Sequence, residues 1–456
     1  MSRFRQIALM FLAAGLLMAC DESGESADAD TDVDTDVDTD TDTEPFLGQI
    51  GEVDNTFYIG PYLMHTTTTA IAIAWETEEA GSTRVEYGLD AVSENTASGE
   101  DGTMHRVYID GLQPETLYRY RACTGDTCTA ELSFATAPEP GTPFRFTVCG
   151  DSRSDPVRHA EVAASMIESE PTVVFNTGDI VHDGEHRILY KQHHFDPARR
   201  LGQYVPIYVA IGNHEFKDYD PDEDPKDPDA PPNHRTGTYF LDYMIFPGDP
   251  LLPDPLPPAP DFSSGIGTGN PEFSYAVRYG DAFFLVLDDT TDTYELFSPY
   301  GGGLPDPPLL QWLQAQVASE AAQTARWRFA FMHYPPNSTC IEAAEAAGSP
   351  YGSVQEVLVP LFKEHDFHAL FTGHVHIYER QNYDGFLSIV TGGGGAGLDT
   401  MEQCTRVTPQ NELTLSVHHH VEVDLDSERA EFKVIDYTGN LIDRMVMQPD
   451  GSYEIP

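Results

Sequence analysis

Apolar and polar positions alternate along the first long stretch of regular chain, with a period of two in "AIAIAW" (Ala70 to Trp75) and "YRYRA" (Tyr118 to Ala122). That spacing puts one face of a strand on a core and leaves the other in solvent. Short runs of similar texture, "STRVEYG", "HRVYIDGL" and "TAELSFAT", stand between polar turns, so residues 52–138 are expected to form an all-β sandwich. The proline-rich "APEPGTP" (Ala137 to Pro143) ends this pattern and marks a domain boundary. Beyond it, apolar runs empty into loops rich in Gly, Asp, Asn and His: "FRFTVCGDSR", "TVVFNTGDIV", "VPIYVAIGNHEF", "AFFLVLDD", "RFAFMHYP", "HALFTGHVH" and "LSIVTGGGG". "HAEVAASMIESE" has helical spacing, and helices are also expected at Pro308 to Ala322 and Val354 to Glu364. This β-α-β alternation predicts an α/β domain over residues 143–449, with the polar loops at the carboxyl edge of one sheet, where such sheets bind ligands.

Two segments, "KDYDPDEDPKDPDAPPNHRTG" and "PGDPLLPDPLPPAPDFSSGIGTGNP", are too rich in proline and acid for a core and read as surface insertions framing that edge. The closing "VEVDLDSERAEFKVIDYTGNLID" reads as a hairpin, and "HHH" (His418 to His420) before it as strand or surface residues.

The amino end adds a different kind of signal. Arg3 and Arg5 precede the apolar run "IALMFLAAGLLMA", which has the form of an export signal over residues 1–20 and is short for a membrane span. "LLMAC" resembles the bacterial lipobox, which implies lipidation of Cys20 and anchorage to the bacterial cell envelope. Residues 21–51 open with acidic residues at nearly every second position, as in "DADTDVDTDVDTDTDTE". They read as an extended tether, without the glycine and glutamate of an EF-hand loop. With 25 basic against 75 acidic residues the formal charge is −50, which argues against nucleic-acid binding and leaves the lipid anchor as the expected membrane contact. An exported chain can oxidise its cysteines: Cys123 and Cys128 bracket a short turn, Cys340 and Cys404 are candidates for a longer bridge, and Cys149 remains a thiol. Nothing in the sequence bears on oligomeric state.

The chemistry lies at the strand ends. Asp151, Asp179, Asn213, His214, His333, His374 and His376 each follow an apolar run. One histidine after a strand is usually structural; seven donors gathered at one edge are a metal site. Oxygen and imidazole donors without cysteine suit Zn, Fe or Mn, and their number suits two ions sharing a carboxylate. Such a pair activates water and clamps the oxygens of an in-line displacement at phosphorus.

The ordered set of "GD", "GD", "GNHE", "H" and "GHVH" resembles the calcineurin-like metallophosphoesterases. With "YER", "TGGGG" and the preceding sandwich, which itself resembles a fibronectin type III-like domain in "GPYLM", Trp75 and "GLQPETLYRYR", the likeness is to the purple acid phosphatase branch. The resemblance implies a four-layer α/β sandwich of mixed sheets flanked by helices. It also implies two divalent or mixed-valence ions: Asp151, Asp179 and His376 on the first, and Asp179, Asn213, His333 and His374 on the second. His214 would then face a phosphate-ester substrate as general acid or transition-state donor. Two positions depart from the pattern. Arg153 stands where many phosphoesterases have a liganding histidine, which purple acid phosphatases also lack, and His182 where purple acid phosphatases compensate with a liganding tyrosine. His182 is therefore a candidate ligand or a loop histidine. Arg153 either grips a phosphate through its planar fork or pairs with Asp155 or Asp183. Tyr334 and Tyr378 are read as core residues. The expected activity is an acid phosphatase-like monoesterase. A phosphodiesterase acting on nucleotides or lipid headgroups uses the same donors, and a surface binding protein with a vestigial or structural metal site is the reading of another class.

Overall fold

The computed structural model describes residues 48–215, 238–247, 249, 251–252, 273–290, 308–341, 351 and 354–456. The export signal with Cys20, the acidic run, the first proline-rich insertion and most of the second lie outside the described residues. Among the described residues no helix is long and apolar enough to cross a membrane.

The alternating segments become two small antiparallel sheets. Ile59–Met64, Ile71–Gly81 and Gly102–Ile109 form one. Asn95–Ser98, Thr83–Gly88, Leu117–Thr124 and Thr127–Cys128 form the other, with Leu132–Ala135 on its central strand. Gly102–Ile109 is buried at every second residue over its last half, as the period predicts. Trp75 closes the space between the sheets. It is fully buried, stacks on His105 with centroids 4.9 Å apart, and donates its indole N–H to Thr124 Oγ1 across the gap (2.8 Å). Cys123 and Cys128 stand opposite each other in the ladder and are joined by a disulfide.

The α/β body has two sheets, as the family resemblance implies, where the apolar runs taken alone suggested one. The first runs, in spatial order, Ile207–Val209, Val173–Asn176, Phe144–Cys149, His419–Leu425, Ala430–Asp436, Leu441–Met447 and Tyr453–Glu454. The second runs Tyr275–Tyr279, Ala282–Val286, Trp327–Phe331, Ala369–Thr372, Phe386–Thr391, Tyr378–Tyr383 and Asn411–Leu415. The strands that end in polar loops pair in parallel within each sheet. They are buried at nearly every residue because both faces are covered. A phenylalanine layer joins the sheets face to face, with Phe146 against Phe284 (5.2 Å) and Phe175 against Phe331 (4.3 Å). The helix Pro156–Glu168 starts where Asp155 accepts the Val157 and Arg158 N–H groups and buries His159, Val162, Ala163, Met166 and Ile167 against the body. The final antiparallel strands extend the first sheet, with His419 and His420 buried in it.

The all-β sheets and the body share one continuous core. Arg199 donates to the carbonyls of Phe57, Tyr58 and Gly60 (3.1, 2.9 and 3.0 Å). Gln203 and Asp54 exchange two hydrogen bonds, and Tyr120 donates to the Gln203 carbonyl (2.7 Å).

Burial also sets how the fold answers acid. It pushes the imidazoles of His368 and His419 down to about 4 and those of His194 and His420 down to about 3. Their unfolded value is about 6.5, so each stabilises the fold fully above that pH, and the contribution is lost as pH falls towards 4. The buried carboxyls of Glu215 and Asp289, pushed up to about 7, act in the opposite sense over the same range. Burial also pushes His65 and His159 down to about 4, so the histidines outnumber the two carboxyls and the urea midpoint should fall between pH 6.5 and about 4, by about 1.4 kcal/mol per pH unit for each uncompensated histidine. His420→Gln should flatten that slope, and a midpoint independent of pH would refute the account.

Candidate metal centre

Both sheets deliver their strand ends to one place. Asp151, Asp179 and Asn213 follow Phe144–Cys149, Val173–Asn176 and Ile207–Val209 of the first sheet. His333 and the pair His374 and His376 follow Trp327–Phe331 and Ala369–Thr372 of the second. Three of these residues hold left-handed backbone: Asp151 (φ 54°), Asp179 (φ 56°) and His374 (φ 67°). Side chains rarely adopt that conformation, and it marks loops wound to aim a group. Each follows a glycine, and the glycines are required by close approach. A Cβ on Gly373 would lie 2.4 Å from Asp151 Oδ2, and one on Gly178 (φ 100°) 2.8 Å from the Gly212 nitrogen.

The donors converge. His333 Nδ1–H donates to the Thr177 carbonyl (2.9 Å), which leaves Nε2 with its lone pair toward the cluster. That Nε2 lies 3.0 Å from Asn213 Oδ1, 3.4 Å from Asp179 Oδ1 and 3.3 Å from His374 Nδ1, which is itself 3.0 Å from Asn213 Oδ1. Asp151 Oδ2 accepts the His374 backbone N–H (2.8 Å), while Asp151 Oδ1 is buried and has no hydrogen-bond partner among the described residues. Asp151, Asp179 and His333 each offer one ligand atom, all within 4.8 Å of one another. A knot of oxygen and imidazole lone pairs around an orphaned carboxylate oxygen fits a borderline divalent cation. Burial alone would push the Asp179 carboxyl up, but His333, His214 and Arg153 outweigh it and hold it well below the usual carboxylate range. His333 is raised because Asp179, Asp151 and Asp289 outweigh its burial, whereas burial and then the neighbouring His333 push His374 down to about 3.

His214 stands at the rim, half-buried. Its Nδ1–H donates to the His182 carbonyl (2.6 Å), and its Nε2 lies 3.9 Å from Asp179 Oδ2. His376 Nδ1–H donates to the Gly397 carbonyl (2.6 Å), which turns Nε2 toward Asp151 Oδ1 at 3.5 Å. The exposed His182 ring has its Nδ1 3.2 Å from Ser154 Oγ. Arg153 pairs with neither Asp155, which caps a helix, nor Asp183. Its Nε donates to Asp179 Oδ2 (3.0 Å). Tyr378 is a core residue donating to Asp443 (2.6 Å). Tyr334 is half-buried with its ring 4.3 Å from that of His374, so it forms part of the wall. A disulfide joins Cys340 to Cys404 beside Tyr334, and Cys149 is a buried free cysteine whose thiol burial pushes up to about 12.

Three carboxylates that hold the donors were not identified from sequence. Glu215 accepts N–H groups from Asp179, Ile180, Val181 and Gly212 (3.0, 2.9, 3.3 and 2.6 Å) and so stitches two donor loops together. Asp289 accepts the His333 and Tyr334 N–H groups (3.0 and 2.8 Å), and Asp399 that of His376 (3.0 Å). The last residue of "GNHE" and the doubled aspartate ending "AFFLVLDD" were visible signals for the first two; Asp399 sits in a loop with no such mark.

Comparison with known proteins agrees with this architecture. The model of the purple acid phosphatase N-terminal domain matches residues 60–136, and that of the calcineurin-like phosphoesterases matches residues 144–378. Purple acid phosphatase 1 of Ipomoea batatas is 24% identical over 352 residues, covering 71% of this chain and 65% of its own. The chain spans 58–66% of the length of this and two other curated relatives it matches. Among solved structures, purple acid phosphatase PPD1 from seeds of yellow lupin (Lupinus luteus) shares the fold with a TM-score of 0.65 at 17% identity, over 86% of this chain and 74% of that one. PhoD does so with a TM-score of 0.64 at 15% identity, over 89% and 93%. Because the phosphoesterase match runs through both sheets and every loop that brings a donor to the centre, and spans just over half of the sequence, the chain belongs to the calcineurin-like phosphoesterase family.

Proposed function

We propose that the chain is an exported, metal-dependent hydrolase of phosphate esters, with an acid phosphatase-like preference for monoesters. The observation that carries this reading is the convergence of Asp151, Asp179, Asn213, His333 and His374 on one buried point, with His214 half-buried at its rim. A bound divalent ion supplies Lewis-acid polarisation of a phosphoryl oxygen and lowers the pKa of water. The donors divide about Asp179, with Asn213, His333 and His374 on one side and Asp151 and His376 on the other. Two ions sharing Asp179 is the purple acid phosphatase form of this reading.

The remaining work falls to side chains. His214, fixed through Nδ1–H on the His182 carbonyl, keeps Nε2 available to hand a proton to the leaving oxygen or to hold it. Glu215 and Asp289 act as positioning residues, since each holds a donor loop by its backbone N–H groups. Tyr334 lines the wall. We read the N-terminal sheets as a fibronectin type III-like sandwich that braces the body without contributing a donor. The lipobox-like "LLMAC" and the acidic run support a lipid anchor at Cys20 and a tether to the bacterial envelope. The high acid content makes an anionic polymer an unfavourable partner, so a small phosphate ester is the expected substrate.

Two substitutions separate binding from chemistry. Asp179→Asn should lose both bound metal, measured by plasma mass spectrometry, and turnover of matched aryl phosphate mono- and diesters; unchanged turnover would exclude this centre as the active site. His214→Ala should keep the metal content of the parent while lowering turnover by about 10²–10⁴-fold. A loss of metal with the activity would show His214 to be part of the binding site instead.

A further inference from the structure

We propose that Arg153 is a built-in cation of the Asp151 and His376 side of the centre, so that the folded chain takes up one divalent ion where its purple acid phosphatase relatives would suggest two. The proposal rests on the metal-dependent reading above and changes its stoichiometry. Arg153 is stitched to Asp179 twice: its backbone N–H donates to the Asp179 carbonyl (3.2 Å) and its Nε–H to Asp179 Oδ2 (3.0 Å). Its Nη2 lies 3.2 Å from His376 Nε2, the nitrogen left bare when Nδ1–H bonds Gly397. The guanidinium thus occupies two of the three donor atoms that a first ion would need. Its third nitrogen, Nη1, lies 3.4 Å from Ser154 Oγ and 3.5 Å from His182 Nδ1, so every arm of the fork has a polar neighbour.

The loop is wound for this. Asp151 and Ser154 both hold left-handed backbone (φ 54° and 76°), which folds the segment back so that Arg153 reaches Asp179; the two side chains are 14% and 1% exposed. A guanidinium is charged at any pH the protein meets, its planar fork suits a carboxylate oxygen and an adjacent acceptor, and it repels a divalent ion placed against it. The sequence agrees in part: His182 stands where purple acid phosphatases have a tyrosine ligand of the first ion, while Arg153 stands where other phosphoesterases, though not purple acid phosphatases, have a liganding histidine. What remains on the other side is a full set for one ion. It comprises Asp179, His333, Asn213 and His374, with Asp151, the donor of the first side that the guanidinium leaves open, within 4.8 Å of Asp179 and His333.

The test is the metal count of the full chain loaded with excess Mn²⁺ and freed of unbound ion, read by plasma mass spectrometry and by electron paramagnetic resonance. We expect one Mn²⁺ per chain with the spectrum of an isolated ion in the parent protein, and two per chain with an exchange-coupled spectrum in Arg153→His or Arg153→Ala. Two coupled ions in the parent would overturn the proposal while leaving the phosphoesterase reading intact; no bound ion would overturn both. If both variants keep the circular dichroism spectrum of the parent and still bind one ion, Arg153 is not what excludes the second, and the proposal fails. Should the variants misfold, the count and spectrum of the parent alone decide.

Discussion

The centre depends on keeping one carboxylate ionised out of water. The Asp179 side chain is 1% exposed, and an uncompensated charge at that depth costs several kcal/mol. Compensation comes from every direction. Arg153 donates to Oδ2, the His214 backbone N–H donates to Oδ1 (2.9 Å), and His333 lies against Oδ1. Beside it Glu215 is equally buried but is treated differently. Burial, and then the charge of Asp179, push its carboxyl up to about 7, although it accepts several backbone N–H groups. Two neighbouring acids are thus driven apart in their tendency to ionise, one held as a carboxylate among the candidate donors and the other holding loops. The left-handed turns at Asp151 and Asp179 and the glycines before them follow from the need to bring these groups so close.

Loops of this kind stay in place only on a stiff support, and the support is the phenylalanine layer between two sheets. Phe146, Phe175, Phe329, Phe331 and Phe371 come from strands whose ends carry the donors, and Phe284 from the strand that leads to Asp289. A core packed as densely as an organic crystal fixes strand height, and strand height fixes where each loop begins. Donors from both sheets then meet in one cluster. The disulfide between Cys340 and Cys404 ties two further loops beside Tyr334 and His374.

Much of this was legible in the chain, for reasons that differ by element. Alternation revealed the small sheets because each strand has one wet face, and helical spacing revealed the helix over "HAEVAASMIESE", although its start, set by the Asp155 cap and Pro156, lies upstream of that run. Donor types at strand ends revealed the centre because several polar residues after apolar runs have no packing explanation. Sheet number was legible only through the family resemblance, because fully buried strands such as Phe144–Cys149 and Trp327–Phe331 read alike and say nothing of which neighbour they pair with. The partner of Arg153 was missed for a related reason. Asp155 and Asp183 are near in sequence, whereas Asp179 is brought close only by a backbone turn whose dihedrals no residue type dictates. Asp399 was invisible because an exposed-looking loop aspartate carries no pattern.

The N-terminal sheets supply no donor, yet contacts lead from them to the candidate acid. Glu76 of the strand Ile71–Gly81 accepts from Arg187 (3.3 Å) and from Tyr243 (2.8 Å), and Arg187 opens the helical segment that carries His193. His193 Nδ1 accepts the His182 backbone N–H (3.2 Å), and the His182 carbonyl in turn accepts Nδ1–H of His214. Arg199, at the far end of that segment, is pinned by three carbonyls at the entry to the N-terminal strand Ile59–Met64. The imidazole tautomer and aim of His214 are therefore set by a backbone carbonyl whose loop is braced from outside the α/β body. This gives the small sheets a physical part in the chemistry even though none of their side chains reaches the donors, and it accounts for a continuous core running across what the sequence marks as a domain boundary.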